Sequence, residues 1–222
     1  MLTFVTFFWR EPGFHTTYTD EHVRRWSAMV DKHYRKPHRR VVVTSVVGDY
    51  GDTAVVADVN PWAALRSPEG GGFPTCYRRL RVWGRDAAQV FGDRIVVMDL
   101  DCAVVADLAP VVDRPEPVVM LRDAVFPTQY NGGMMLLTAG ARPDVLERFD
   151  GLASIEAAKR AGFRGSDQAW ISYALGPNLP TLAGVHSWKR DLKRGLPTPE
   201  TRVVMFHGRD KPWHSAVPVL YR

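Results

Sequence analysis

The sequence predicts an α/β fold with a mostly parallel central sheet flanked by helices, and two observations predict it. Short runs rich in Val, Ile and Phe alternate with stretches whose apolar residues recur at helical spacing, the pattern of strand–helix–strand units. Two of those runs, 2–9 and 94–98, are almost unbroken in apolar residues, as strands covered on both faces are. With 222 residues and no linker-like division, the chain fits one domain with a substantial core.

Taken in order, residues 2–9 read as the first strand, broken by Arg10-Glu11-Pro12-Gly13 at the edge where open α/β sheets bind ligands. Thr19 or Asp20 caps a helix running to about Tyr34, with Val23, Trp26, Met29, Val30 and His33 on its inner stripe and Pro37 beyond its end. A second strand spans 41–47 and a shorter third spans 53–57. Ser67–Pro74, with three consecutive glycines, is either a connector or a flap over a site. A helix is expected over 75–90, with Leu80, Val82, Trp83 and Ala87 at its apolar positions. The strand that ends at Met98 follows, then strands at 118–121 and 133–137, helices at 143–149, 153–162 and 167–175, and a last strand at 203–206.

Composition excludes several classes. No apolar run reaches the roughly 18 residues of a membrane span. The N-terminus has neither a basic leader nor a small-residue cleavage site, so it reads as a strand and not a signal peptide. Cys76 and Cys102 lack metal-type spacing, and the expected setting is reducing and cytoplasmic. Neither a Gly-x-Gly-x-x-Gly nor a Walker-type Gly-Lys-Ser/Thr is present, so phosphate would have to be held by a metal and basic side chains. The balance of 29 basic and 24 acidic residues, a net +5, favours anionic ligands without selecting one.

The chemistry points to Asp99-Leu100-Asp101. In extended backbone both carboxylates project to one side, roughly 7 Å apart at Cα, and repel unless a positive group lies between them. A hard divalent cation meets that need and can also hold a diphosphate; a solvated acidic turn is the plain alternative. Around the pair stand Arg79-Leu80 upstream, then Asp123, Asn131-Gly132-Gly133, Ser166-Asp167-Gln168 and Gly208-Arg209-Asp210-Lys211-Pro212-Trp213.

This ordered set resembles glycosyltransferase family 8, the glycogenin and bacterial lipopolysaccharide galactosyltransferase group with a GT-A fold. The motifs cover roughly residues 75–213. The resemblance implies that Asp99 and Asp101 bind Mn²⁺ (or Mg²⁺) and through it the diphosphate of a nucleotide sugar, UDP-glucose or UDP-galactose. It implies donor contacts for Arg79 and for Asn131, Gly132 and Gly133, a place for Asp123 near the sugar or acceptor, and a sugar-holding role for Asp167. Gln168 would lie beside the anomeric carbon. A neutral amide is a poor nucleophile, which favours retention by front-face attack over double displacement. Lys211 would neutralise the leaving diphosphate, with Pro212-Trp213 fixing its loop.

Two departures from the family pattern are visible. The position of the family's third metal ligand, a histidine three residues before Gly208, is Met205; His207 could supply the imidazole if the segment stays extended, or simply bond at a strand end. Acidic residues that would hold the base are not evident after Trp9, where Trp9 and Arg10 are the candidates and Trp9 either stacks on a base or packs in the core.

Rival readings are a non-catalytic nucleotide-sugar or nucleic-acid binding module and, from Val-Val-Met-Asp-Leu-Asp, a haloacid-dehalogenase-type phosphatase, which would usually carry that motif near the N-terminus and follow it with Gly-Thr. The acceptor is open among a protein, a glycan and DNA with hydroxymethylated bases. The basic clusters at 24–40 and 186–194, the latter around Trp188, either bind such a polyanion or are solvated helix faces.

Overall fold

The computed structural model describes residues 1–10, 13, 16–66 and 76–221. Glu11 and Pro12 of the expected turn, and the Ser67–Pro74 stretch, lie outside the described residues.

The main sheet has six strands. β1 (Leu2–Phe8) is buried at every position and pairs in parallel with β2 (His38–Thr44) on one side and β4 (Arg94–Met98) on the other; β3 (Ala54–Ala57) pairs in parallel with β2. Beyond β4 comes β7 (Tyr130–Thr138), antiparallel to it, and then β6 (Val118–Arg122), antiparallel to β7. The order is β3-β2-β1-β4-β7-β6, so β7 alone runs against the rest. β6 and β7 are sequential and joined by a short loop, which antiparallel strands allow and parallel strands do not.

Side chains alternate across the sheet as the strand period requires. Phe4 and Phe8 of β1, Val96 and Met98 of β4, and Met134 and Leu136 of β7 enter one apolar layer, under α1 (Asp20–His33). Val5 and Phe7, Ile95 and Val97, and Met135 and Leu137 enter the other. That second layer is closed by 3-10 turns at Cys76–Trp83, α2 (Ala87–Phe91), α4 (Asp144–Glu147), α5 (Gly151–Arg160) and α6 (Asp167–Leu175), α3 (Ala109–Val112) being a single turn elsewhere.

A smaller sheet, β5-β9-β8, sits past the end of β4. β9 (Val203–Met205) runs antiparallel to β5 (Cys102–Val104) and parallel to β8 (Val185–Ser187). It ties the C-terminal segment to the residues just after the acidic pair, with Phe206 N donating to the Asp101 carbonyl at 3.3 Å.

The expected helix over 75–90 is replaced by 3-10 turns and the five-residue α2. The Asn60 side-chain amide takes the carbonyls of Tyr77 and Arg78, at 3.3 and 3.0 Å, which an α-helix would have used internally. β2 starts three residues before the expected strand and stops at Thr44, whose hydroxyl accepts from Val46 N. The other expected strands and helices are present within a few residues of their predicted ends, whereas β5, α3 and β8 were not foreseen.

Candidate active site

β1 sends its chain out to β2 on one side and lies against β4 on the other. The crevice past the carboxyl ends of β1 and β4 is therefore a switch point of the sheet, where α/β folds bind ligands. A cavity of about 450 Å³ opens there. Trp9 and Arg10 line it from the end of β1, Asp99 and Asp101 from the end of β4, Asn131 from β7, Gln168 from α6, and Met205, His207 and Lys211 from the C-terminal segment.

Arg79 organises the floor. Its guanidinium donates from Nε and Nη2 to both oxygens of Asp167, at 2.8 and 2.9 Å, and from Nη1 to Asp99 Oδ1 at 2.7 Å and the Gly132 carbonyl at 3.0 Å. Burial opposes the Arg79 charge, but Asp167 and Asp99 outweigh it and hold the group well above its ordinary pKa. The two glycines leave little room for a side chain. A Cβ on Gly132 would stand 3.1 Å from Asp167 Oδ2 and 3.2 Å from Arg79 Nη2, and one on Gly133 would stand 2.8 Å from Met205 Cε. Gly133 also accepts from Asp99 N at 2.9 Å, which sets the start of the acidic turn.

Asp101 is bound from two directions. Tyr18 Oη donates to its Oδ2 at 3.0 Å, and the buried Lys211 ammonium forms an ion pair with the same oxygen. Burial first, then Asp101 and Asp99, drive the Tyr18 phenol far above its usual range, so it stays a donor. Burial likewise pushes Asp99 up to about 6; Arg79 opposes this and the Asp101 and Asp167 charges reinforce it.

Asp123 and Asp167 are not among the residues that line this cavity. Asp167 is wholly buried behind Arg79 and caps its remaining capacity with Ser166 Oγ at 3.0 Å. Asp123 Oδ1 accepts from Val125 N and Phe126 N, both at 2.8 Å, while Oδ2 accepts from the Asn131 and Gln168 amides at 3.0 and 3.3 Å. With every lone-pair site engaged, Asp123 orients those amides rather than meeting a reacting atom. It lines a second cavity of about 230 Å³, which shares Asn131, Gln168, Met205 and His207 with the first.

Asp99, Asp101 and His207, the expected metal ligands, line the one cavity, although among the described residues no three His, Cys, Asp or Glu side chains are gathered closely enough to hold an ion by themselves. His207 is half-buried between the two cavities; burial and then Lys189 hold its imidazole below the usual range, against the pull of Asp123. The two carboxylates that remain fit a cation whose other ligands are diphosphate oxygens and water, the usual arrangement for Mg²⁺ on a nucleotide. Trp9 lies under the Arg78 guanidinium, 4.4 Å from the ring centroid, at the cavity wall. Tyr18 and Cys76 also line the cavity, and nothing in the motif spacing pointed to Cys76.

No protein-family model and no curated protein matches the sequence. Solved structures do match. The chain is similar to the galactosyltransferase LgtC, solved with donor and acceptor sugar analogs, with a TM-score of 0.62 at 14% identity over 97% of this chain and 90% of that one. It is also similar to the glycosyltransferase GlyE of Streptococcus pneumoniae TIGR4 (TM-score 0.57, 13% identity, 96% and 56% of the two chains). The bifunctional glycosyltransferase WbbM gives 0.59 at 15% identity, over 96% and 46%. At these identities the likeness is one of fold: the chain has the GT-A-like α/β fold of these glycosyltransferases.

Proposed function

We propose that the protein is a metal-dependent glycosyltransferase that moves a hexose from UDP-glucose or UDP-galactose to an acceptor hydroxyl, with retention at the anomeric carbon. The observation that carries this reading is the pairing of two adjacent carboxylates with two buried cations, Arg79 and Lys211, in one cavity at the sheet's switch point.

Bound at Asp99 and Asp101, the divalent cation would supply a Lewis acid for the departing diphosphate. Lys211, paired with Asp101, would be the ammonium placed to meet a phosphate oxygen of the leaving diphosphate. Arg79 keeps Asp99 aimed at the cavity while Asp167 keeps Arg79 in place. Trp9 and Arg10 line the wall where the nucleotide lies, and Asn131 offers its amide to sugar hydroxyls.

The anomeric carbon's bond to the diphosphate breaks with its electron pair going to the diphosphate. The acceptor oxygen then bonds to that carbon on the same face, and its proton passes to the departing oxygen. Among the described lining residues the carboxylates are Asp99 and Asp101, both committed to the cation; the group facing the sugar is the Gln168 amide, which stabilises charge without forming a covalent intermediate. Incubating the full chain with a panel of nucleotide sugars and Mn²⁺ tests this: nucleoside diphosphate is released from a UDP-hexose, and Asp101→Asn, with its fold intact, releases none. A chain that turns over no nucleotide sugar with either Mn²⁺ or Mg²⁺ is a binding module instead.

A further inference from the structure

In the 24–40 cluster three cations meet acids: Arg24 contacts Glu21 and Asp49, Lys36 contacts Asp113, and Arg40 contacts Asp31, while Lys32 and Arg35 are exposed. Across 189–194 the one acidic partner is Asp210, shared by Lys189 at 3.1 Å and Arg194 at 3.8 Å. Arg190 and Lys193 are exposed and have no acidic partner among the described residues, and neither does the exposed Arg209. Gly208 brings Arg209 alongside, since a Cβ there would stand 3.3 Å from Lys189 Nζ.

The backbone is bent to make this surface. Trp188 and Leu192 are buried, Trp188 stacking on Phe206 at 5.1 Å between centroids, while Lys193 and Arg194 are both held at positive φ, 50° and 64°. Two consecutive non-glycine residues in the left-handed region cost energy that the surrounding packing has to sustain, and such strain gathers at functional sites.

The same segment walls the smaller cavity. His186, Ser187 and Asp191 form one side, and the partly exposed Val125 and Phe126 form another, with Gln168 shared with the donor cavity. At about 230 Å³ it is smaller than the roughly 300–1,000 Å³ of pockets for drug-sized ligands. It suits one ring system and not a run of sugars. The Phe126 ring and polar groups inside, with unpaired cations on the adjoining segment, are the means by which a protein takes a base out of a nucleic-acid strand while holding its phosphates.

We propose that the 185–195 segment and Arg209 dock a nucleic acid, and that a base bearing a hydroxymethyl group enters the smaller cavity as the acceptor. This rests on the transferase reading above. The hydroxymethyl oxygen bonds to the anomeric carbon as the diphosphate leaves with the bonding electrons, and the hydroxyl proton goes to the departing oxygen.

The test uses the full chain with a fluorescent single-stranded oligonucleotide containing 5-hydroxymethylcytosine. The wild type binds it at 50 mM salt, and with donor and Mn²⁺ the oligonucleotide gains the mass of a hexose. The triple variant Arg190→Gln, Lys193→Gln, Arg209→Gln binds at least tenfold more weakly, and its slope of log affinity against log salt falls by about 2, at roughly 0.7 per lost phosphate contact. Its release of nucleoside diphosphate from donor into water is unchanged. The control variant Arg24→Gln, Lys36→Gln, Arg40→Gln binds as the wild type does. No binding by the wild type, or equal binding by the triple variant, overturns the docking surface. Turnover into water with no hexose on DNA, or hexose placed on a sulfated glycan instead, overturns the acceptor assignment alone. No turnover of any donor overturns the transferase reading and the acceptor assignment with it.

Discussion

Arg79 and Asp167 form a two-pronged ion pair at the bottom of the cavity, 88 residues apart in sequence, with Asp167 fully shielded from solvent. Neither group is free to touch a ligand with the face it gives the other, so the pair acts as a brace for Asp99. Breaking a buried pair from one side leaves an uncompensated charge, which costs about 3–5 kcal/mol. Asp167→Ala therefore lowers Tm by roughly 10 °C, at about 2–4 °C per kcal/mol for a chain of this size. The more telling measurement is Arg79→Lys, whose single ammonium cannot reproduce the fork: it folds, but its KM for donor rises.

Under the transferase reading, Lys211 and a divalent cation would compete for Asp101. Lys211→Met removes the resident ammonium, so Mn²⁺ alone binds more tightly, by about tenfold if the lost charge-assisted bond contributes at least 1.5 kcal/mol. The same variant binds UDP-hexose with Mn²⁺ less tightly, since the phosphate loses its ammonium. Titrating free Mn²⁺ by electron paramagnetic resonance, with and without nucleotide, reads both halves. Equal Mn²⁺ affinity in the two proteins would show that Lys211 does not guard the site.

Asp123 holds two backbone amides and two side-chain amides at once. In Asp123→Asn the new amide nitrogen faces one of those donors. Gln168 and Asn131 lose their common anchor, and kcat falls by about 100-fold, as for an angstrom-scale misplacement of a reacting group. Because Asn131 also offers its amide to the donor sugar, KM for donor rises as well. Unchanged kcat would show that Asp123 does not position Gln168.

Cys76 lines the cavity beside Arg79, yet burial pushes its thiol up to about 11, with Asp167 and Asp99 adding to burial against Arg79. The thiolate fraction at pH 8 is then about one in a thousand, and the thiolate is the reactive form. Iodoacetamide labels Cys76 slowly at pH 8, accelerates steeply toward pH 11, and is blocked by UDP with Mn²⁺. Mass measurement of the labelled peptide checks all three.

How much of this was legible in the sequence varied with range. The apolar runs at 2–9 and 94–98 announced strands covered on both faces, because burial leaves a mark on every residue of such a strand. Asp99, Asp101, Arg79, Asn131, Gln168 and Lys211 do meet in one cavity. What local pattern could not carry was the partner of each charge. Asp167 spends itself on Arg79, and Asp123 spends itself on a turn and two amides, and nothing in the neighbouring residues of either says so. The 75–90 segment failed for a similar reason: its competitor for hydrogen bonds, Asn60, lies on another element. The basic clusters looked alike as strings, and the acids that meet Arg24 and Lys36, Asp49 and Asp113, come from elsewhere in the chain.

The small sheet joins residues just after Asp101 to residues 203–205. The six main strands are all synthesised by residue 138, whereas Met205, His207 and Lys211 are made long afterwards. A nascent chain therefore owns its scaffold well before it owns its chemistry. Until the late segment folds back, Asp101 lacks its Lys211 partner, while Arg79 and Tyr18 already stand beside the acidic pair.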